Sequence, residues 1–296
     1  MARLTENAIR RWASLEPFPE PPLIRLRYPV ILMHGFGMLA AFRRGGMLHP
    51  MALHLRTHGV LAYAPNVAPY ERVPVRARMW KERLEHVLEE TGADRVHLIA
   101  HSMGGLDARY LISELGAHTM VSSLTTIASP HHGTSLANFV LEQPERIHAW
   151  IAGLANWVST AALEEASANF SRAVAELTPE YVCETFNPSV PDHPGVIYRS
   201  YGGRAGKGTD VPISPLLIPL NHVVYARDGE NDGFVPVSRS RWGTYLGTLD
   251  ADHVQQIGIL LAARRHFDAP AFFVALANDL AALEERAPDH SSITSP

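Results

Sequence analysis

Apolar positions in this chain follow two rhythms. Residues 28–34, 60–64, 96–100, 121–128 and 196–201 are short runs rich in apolar and β-branched side chains, bounded by Gly, Pro or polar residues. Runs of that length and make-up predict strands buried on both faces. Between them the apolar period lengthens to three or four residues. Over 76–90, for example, Trp80, Leu84, Val87 and Leu88 share a face and Gly92 closes the pattern, which predicts a helix. Residues 50–58, a stretch beginning at Leu106, and 272–285 read the same way. Residues 222–226 predict one more strand, and the Gly-rich run 202–208 predicts a loop. Strands alternating with helices argue for an α/β fold with a parallel sheet covered on both sides. In such sheets the working groups gather at the carboxyl ends of the strands.

Three stretches depart from the alternation. Residues 3–15 predict a short amphipathic helix that the Pro-rich run 16–22 breaks, and residues 288–296 form a polar tail. Residues 138–194 lie between two predicted strands and read as helices, with Ile147, Ile151, Leu154, Trp157 and Val158 spaced to share a face and Trp150 nearby. An apolar stripe at that spacing suits a packed core helix, and equally a cap whose apolar face covers a site. Its position inside the α/β pattern favours the cap. The expectation is a single domain, 1–296, with a helical cap or lid inserted over about 138–194.

Composition narrows the function classes. A net charge of −4 over 296 residues, with 46% hydrophobic and 19% charged residues, is that of an ordinary soluble globular protein and carries no nucleic-acid footprint. A single cysteine, Cys183, leaves no internal disulfide and no CxxC metal motif. No run is long and apolar enough to span a membrane. The first residues lack the apolar core of an export signal, so the expectation is a cytoplasmic protein, with secretion as the alternative.

The chemistry is concentrated in Ala100-His101-Ser102-Met103-Gly104-Gly105, where a buried run stops at Ser102 and small residues lead into a helix. A sharp strand-to-helix turn holds a Ser hydroxyl clear of the sheet and sets the next backbone N–H at a helix N-terminus. This arrangement resembles the nucleophile elbow of α/β-hydrolases, with Ala in place of the first Gly, and in that fold the chain order is Ser, acid, His. Here the order is satisfied by Ser102, Asp232 and His253. A Ser hydroxyl needs a base to take its proton, and the base needs an orienting carboxylate. Asp228 competes for the acid role, but the turn Asn231-Asp232-Gly233 favours Asp232. Of sixteen histidines, His34 and His101 flank the site but precede the acid, and His131 and His132 are read as shaping the pocket floor. His49, His54 and His58 suit surface or core-edge roles, although the helical spacing of His54 and His58 could also hold a metal. The expected oxyanion donors are the backbone N–H groups of Met103 and Phe36.

Residues 28–36, 91–106, 123–133, 231–235 and 267–270 together resemble the bacterial true lipases of family I, the Pseudomonas and Burkholderia type; the elbow is also that of the small Bacillus lipases. The resemblance covers most of the chain and is weakest in the cap. It implies an α/β-hydrolase fold, lipase or esterase chemistry, the triad Ser102, Asp232 and His253, and Phe36 and Met103 as oxyanion donors. It also implies a structural calcium near the catalytic His. Asp210 stands at a compatible place for one ligand, but Gln255 replaces the Asp expected two residues after the His. Neither a calcium nor any other cofactor is therefore expected. The expected substrate is a hydrophobic ester, with contact to a lipid interface through the cap. The alternatives are a thioesterase, acyltransferase, amidase or polyester hydrolase on the same triad, or a hydrolase-like binding module without catalysis.

Overall fold

The computed structural model describes residues 13, 23–35, 46–143, 170–259 and 267–286. Six strands form one sheet: β1 (Val30–Met33), β2 (Ala62–Tyr63), β3 (Val96–His101), β4 (Val121–Ile127), β5 (Ile197–Arg204) and β6 (Thr244–Asp250). Their spatial order is β2-β1-β3-β4-β5-β6, and every pairing is parallel. The unbroken apolar runs follow from this architecture, because both faces are covered. Val30 and Leu32 point to one side, where Leu55, Ile257, Phe273 and Leu276 pack. Ile31 and Met33 point to the other, against Trp80, Leu84, Leu111 and Ile112.

The helices are α1 (His49–Thr57), α2 (Val73–Thr91), α3 (Gly104–Ser113), α4 (Ser135–Glu142), α5 (Ile218–Asp228) and α6 (Ala269–Arg286). Helix α2 ends where Gly92 turns left-handed at φ 68°, a conformation glycine adopts without a steric penalty. Between α4 and β5 the described residues run through short turns at Pro179–Tyr181, Val182–Phe186 and Asn187–Ser189, the middle one π-helical. The predicted stripe from Ile147 to Val158, with Trp150, lies outside the described residues, as do the N-terminal helix, the Pro-rich connector and the tail.

Two expectations fail. Residues 222–226 are helical, inside α5, rather than a strand. A five-residue apolar run has no decisive period, and Pro219 in the first turn of α5 starts the helix without spending a needed N–H. The run 202–208 is not wholly loop, because β5 continues to Arg204. Gly202 and Gly203 stay in the strand because side chains from neighbouring segments, Ser240 and Tyr245 at the first and Gln256 and Asp232 at the second, fill the space their own would occupy. The last strand, β6, lacks the apolar signature of the inner strands, because most of its residues are half-exposed.

Buried polar contacts fix two helices to the sheet. On α6, Glu284 accepts from the backbone N–H groups of Arg27 (2.7 Å) and Tyr28 (3.0 Å) and from His97 Nε2 (2.9 Å) on β3. Between α2 and α3, the buried guanidinium of Arg76 donates to Asp107 Oδ2 (2.8 Å), and Trp80 Nε1 donates to the same oxygen (3.2 Å). Burial pushes the Asp107 carboxyl up to about 6, even though Arg76 pulls the other way. Among the described residues no helix is long and apolar enough to cross a membrane.

Candidate active site

β3 ends at His101, and Ser102 occupies the turn before α3 with a φ of 57°, left-handed for a side chain that rarely adopts it. Its N–H donates to Ile127 O (2.9 Å), which ties the turn to β4. Small neighbours are obligatory. A Cβ on Gly35 would stand 2.6 Å from Ser102 Cβ and 2.8 Å from Met103 N, and one on Gly104 would stand 2.9 Å from the carbonyl oxygens of Met33 and His34. The strained serine is thus held by close backbone packing at the carboxyl ends of β1, β3 and β4.

His253 lies in the turn after β6, and Asp232 in the turn after α5. His253 Nε2 is 2.9 Å from Ser102 Oγ, and His253 Nδ1 is 2.7 Å from Asp232 Oδ2. The His253 backbone N–H also donates to Asp232 O (2.9 Å). Asp232 is fully buried. Burial alone raises its carboxyl, but attraction to His253, the His253 hydrogen bond and the N–H groups of Val235 and Phe234 outweigh it and hold the group below the usual carboxylate value. Gln256 Nε2 donates a further bond to Asp232 Oδ2 (3.0 Å), and its Oε1 meets His101 Nε2 at 3.2 Å. The His101 ring packs against His253, with centroids 4.5 Å apart. Burial lowers His101 to about 3, so it stays neutral beside the His253 ring.

Ser102 and His253 open onto a cavity of about 430 Å³. Its walls are apolar: Leu136 and Val140 from α4, Phe170 and Val174 from the stretch after it, Leu220 from α5, and Phe234. Among the described lining residues, His101 and His253 are the ionisable side chains. The site can therefore pass a proton between an alcohol and an imidazole beside a water-poor apolar volume.

Residues 29–184, a little over half the chain, match the family model described as palmitoyl protein thioesterase. The chain belongs to that family. Other members of the wider α/β-hydrolase group lie near it. Triacylglycerol lipase 2 of Saccharomyces cerevisiae is 32% identical over 212 residues, covering 69% of this chain and 59% of that protein. A triacylglycerol lipase of Burkholderia plantarii is 36% identical over 118 residues, covering 38% of this chain and 32% of that one. These matches span less than two thirds of the relatives' own length. The solved structure of Staphylococcus hyicus lipase superposes with a TM-score of 0.66 at 20% identity, over 90% of this chain and 99% of that one. The α/β-hydrolase fold and the kinship with bacterial lipases read from the motifs both hold.

Within this family member the remaining sequence expectations divide. Asp228, the rival acid, is ion-paired with Arg239 at 2.8 Å and makes no contact with His253. His131 and His132 do not form the pocket floor. His131 is buried against Thr126 (2.9 Å) and stacked on Trp242, half-buried His132 packs on the same Trp242 ring, and neither lines the cavity, where Pro130 takes that place. His34 takes a supporting place. Its Nε2 accepts from Val67 N (3.2 Å), so Nδ1 carries the proton and donates to Gly35 O (2.9 Å), and Arg76 donates to the carbonyls of His34 and Gly35. Phe36 lies outside the described residues; the Met103 amide stands beside Gly35 at the N-terminus of α3. His49, His54 and His58 sit on or near the surface, with His58 Nδ1 turned to His54 O (3.0 Å). The calcium position does not fit a hard cation, because Asp210 faces solvent and Gln255 Oε1 accepts from the Asp252 N–H (3.2 Å). Gln256 and Asp252 carried no motif that singled them out, although each lies within three residues of His253.

Proposed function

We propose that this protein is a serine hydrolase that cleaves carboxylic esters with hydrophobic acyl groups. The observation that carries the reading is a continuous hydrogen-bond chain, Ser102–His253–Asp232, whose nucleophile end opens into an apolar cavity. His253 takes the Ser102 proton as Oγ attacks the ester carbonyl, and Asp232 holds the imidazole and stabilises its charged form. The N–H groups of Met103 and Phe36 receive the developing oxyanion, and His253 returns the proton to the departing alcohol. Water activated by His253 then releases the acid. The names of the yeast and Burkholderia relatives support the oxygen ester as substrate. The domain organisation we propose is a single α/β-hydrolase domain in which 138–194 caps the site, supported by Phe170 and Val174 in the cavity wall.

A second reading, cleavage of acyl thioesters, is favoured by the matched family's description. The same atoms serve both reactions, since only the leaving atom changes. A matched pair of oxyester and thioester substrates with one acyl chain separates them by kcat/KM. The test of the common reading is Ser102→Ala. Fluorophosphonate labelling should vanish and nitrophenyl-ester hydrolysis should fall at least about 10³-fold. Full retention of either would sink it.

A further inference from the structure

Among the groups the mechanism does not use, one carboxylate next to the base has an unusual set of partners. Asp252 is fully buried, and its two carboxylate oxygens meet four donors. Its Oδ1 accepts from the N–H groups of Val254 (3.1 Å) and Gln255 (2.9 Å), closing the turn that carries His253. Its Oδ2 crosses to another segment and accepts from Ser214 N (2.7 Å) and Ser214 Oγ (2.6 Å). Four donors converging on two oxygens is the pattern a carboxylate satisfies and an amide cannot.

The location gives this strap a use. His253 sits on neither a strand nor a long helix; β6 ends at Asp250, and the next described element is the short turn Gln255–Ile257. The other bonds of the His253 backbone and ring lead to the Asp232 turn, to Ser102 and to the His101 ring at the end of β3, and none of them reaches the wall that Ser214 leads into. Ser214 belongs to a different body. It precedes the turn Pro215–Leu217 and α5, from which Leu216, Pro219 and Leu220 enter the cavity wall. We propose that Asp252 is a positioning residue for the base: its carboxylate locks the His253 turn to the cavity wall at Ser214 and so keeps imidazole and acyl chain in one frame. This rests on the reading of Ser102 and His253 as nucleophile and base. Placement errors of about 1 Å at a reacting group lower rates by about 10²-fold, so a lock of this kind acts on kcat rather than on binding.

Asp252→Asn is the isosteric probe. Whichever way the amide turns, its NH₂ faces a backbone N–H, either at Ser214 or at Val254 and Gln255. Ser214→Ala removes only the hydroxyl link and leaves the fold's backbone bonds in place. Both variants would be compared with wild type on a soluble nitrophenyl ester, with kcat expressed per fluorophosphonate-titrated site and the midpoint of thermal unfolding recorded alongside. We expect D252N to lower kcat per site at least about tenfold and S214A about threefold, each with KM within about twofold of wild type. A purely structural role would lower the thermal midpoint and leave kcat per titrated site unchanged, and that result for D252N overturns the proposal. If D252N does not fold, S214A decides alone: unchanged kcat per site overturns it. A wild-type protein that fails to react with the phosphonate is a separate result and sinks the hydrolase reading instead.

Discussion

Among the described residues two Ser–His–carboxylate chains occur, and one of them opens onto the cavity. In the second, Ser123 Oγ is 2.7 Å from His97 Nδ1, and His97 Nε2 is 2.9 Å from Glu284 Oε1, distances as good as those at Ser102. Ser123 and His97 are both fully buried within β4 and β3, whereas Ser102 borders the cavity. Ser123→Ala should therefore keep phosphonate labelling and lower stability by about 1 kcal/mol in a urea titration. The acid can be checked in the same spirit. Asp232→Asn should lower kcat by about 10³–10⁴-fold, because the amide cannot hold the imidazole in the reactive tautomer. Asp228→Asn, at the Arg239 ion pair, should change kcat less than about threefold. At this scale the sequence is most informative where geometry forces residue choice: the elbow needs Gly104, and the turn at Asn231-Asp232-Gly233 needs a short acid. Asp252, Gln256 and Arg76 escape it, since a polar residue that serves another residue has no spacing of its own.

Helix α6 shows how a polar residue adds direction to an element held by an apolar stripe. Glu284 accepts from three donors, two on β1's approach and one on β3. Burial raises its carboxyl, but the bonds from His97, Arg27 and Tyr28 prevail and leave it below the ordinary value. A carboxyl with a lowered folded value contributes stability that is present above the unfolded pKa, about 4.3, and is lost as pH falls through the folded value. Glu284→Gln should thus lower stability by about 2 kcal/mol at pH 7, and the gap from wild type should shrink below about pH 4, as read from urea midpoints at the two pH values. Elements with long periodic patterns, α2 and α6, were legible from sequence almost to their ends. Residues 222–226 and β6 were not, because a short apolar run and a half-exposed outer strand each leave the period undecided.

The whole molecule brings the ends of β1, β3 and β4 together with the turns that follow α5 and β6, and it sets the meeting point beside apolar side chains. The cavity should reward longer acyl chains: kcat/KM on soluble esters should rise about fourfold per added methylene, at about 0.8 kcal/mol each, and flatten once the volume is filled. A profile that falls with length from the start would contradict the apolar volume as the acyl site. The α/β class and the sheet's parallel sense were readable from alternation, whereas the strand order was not, since it depends on crossovers that no local pattern encodes. Ser102 and His253 stand 151 positions apart, and His253 and Asp232 stand 21 apart. Contacts that join residues so far apart in the chain form slowly, and no single strand holds all three side chains. Recovery of the phosphonate-reactive serine during refolding is thus a clock for the final step, lagging behind any signal from the helices alone.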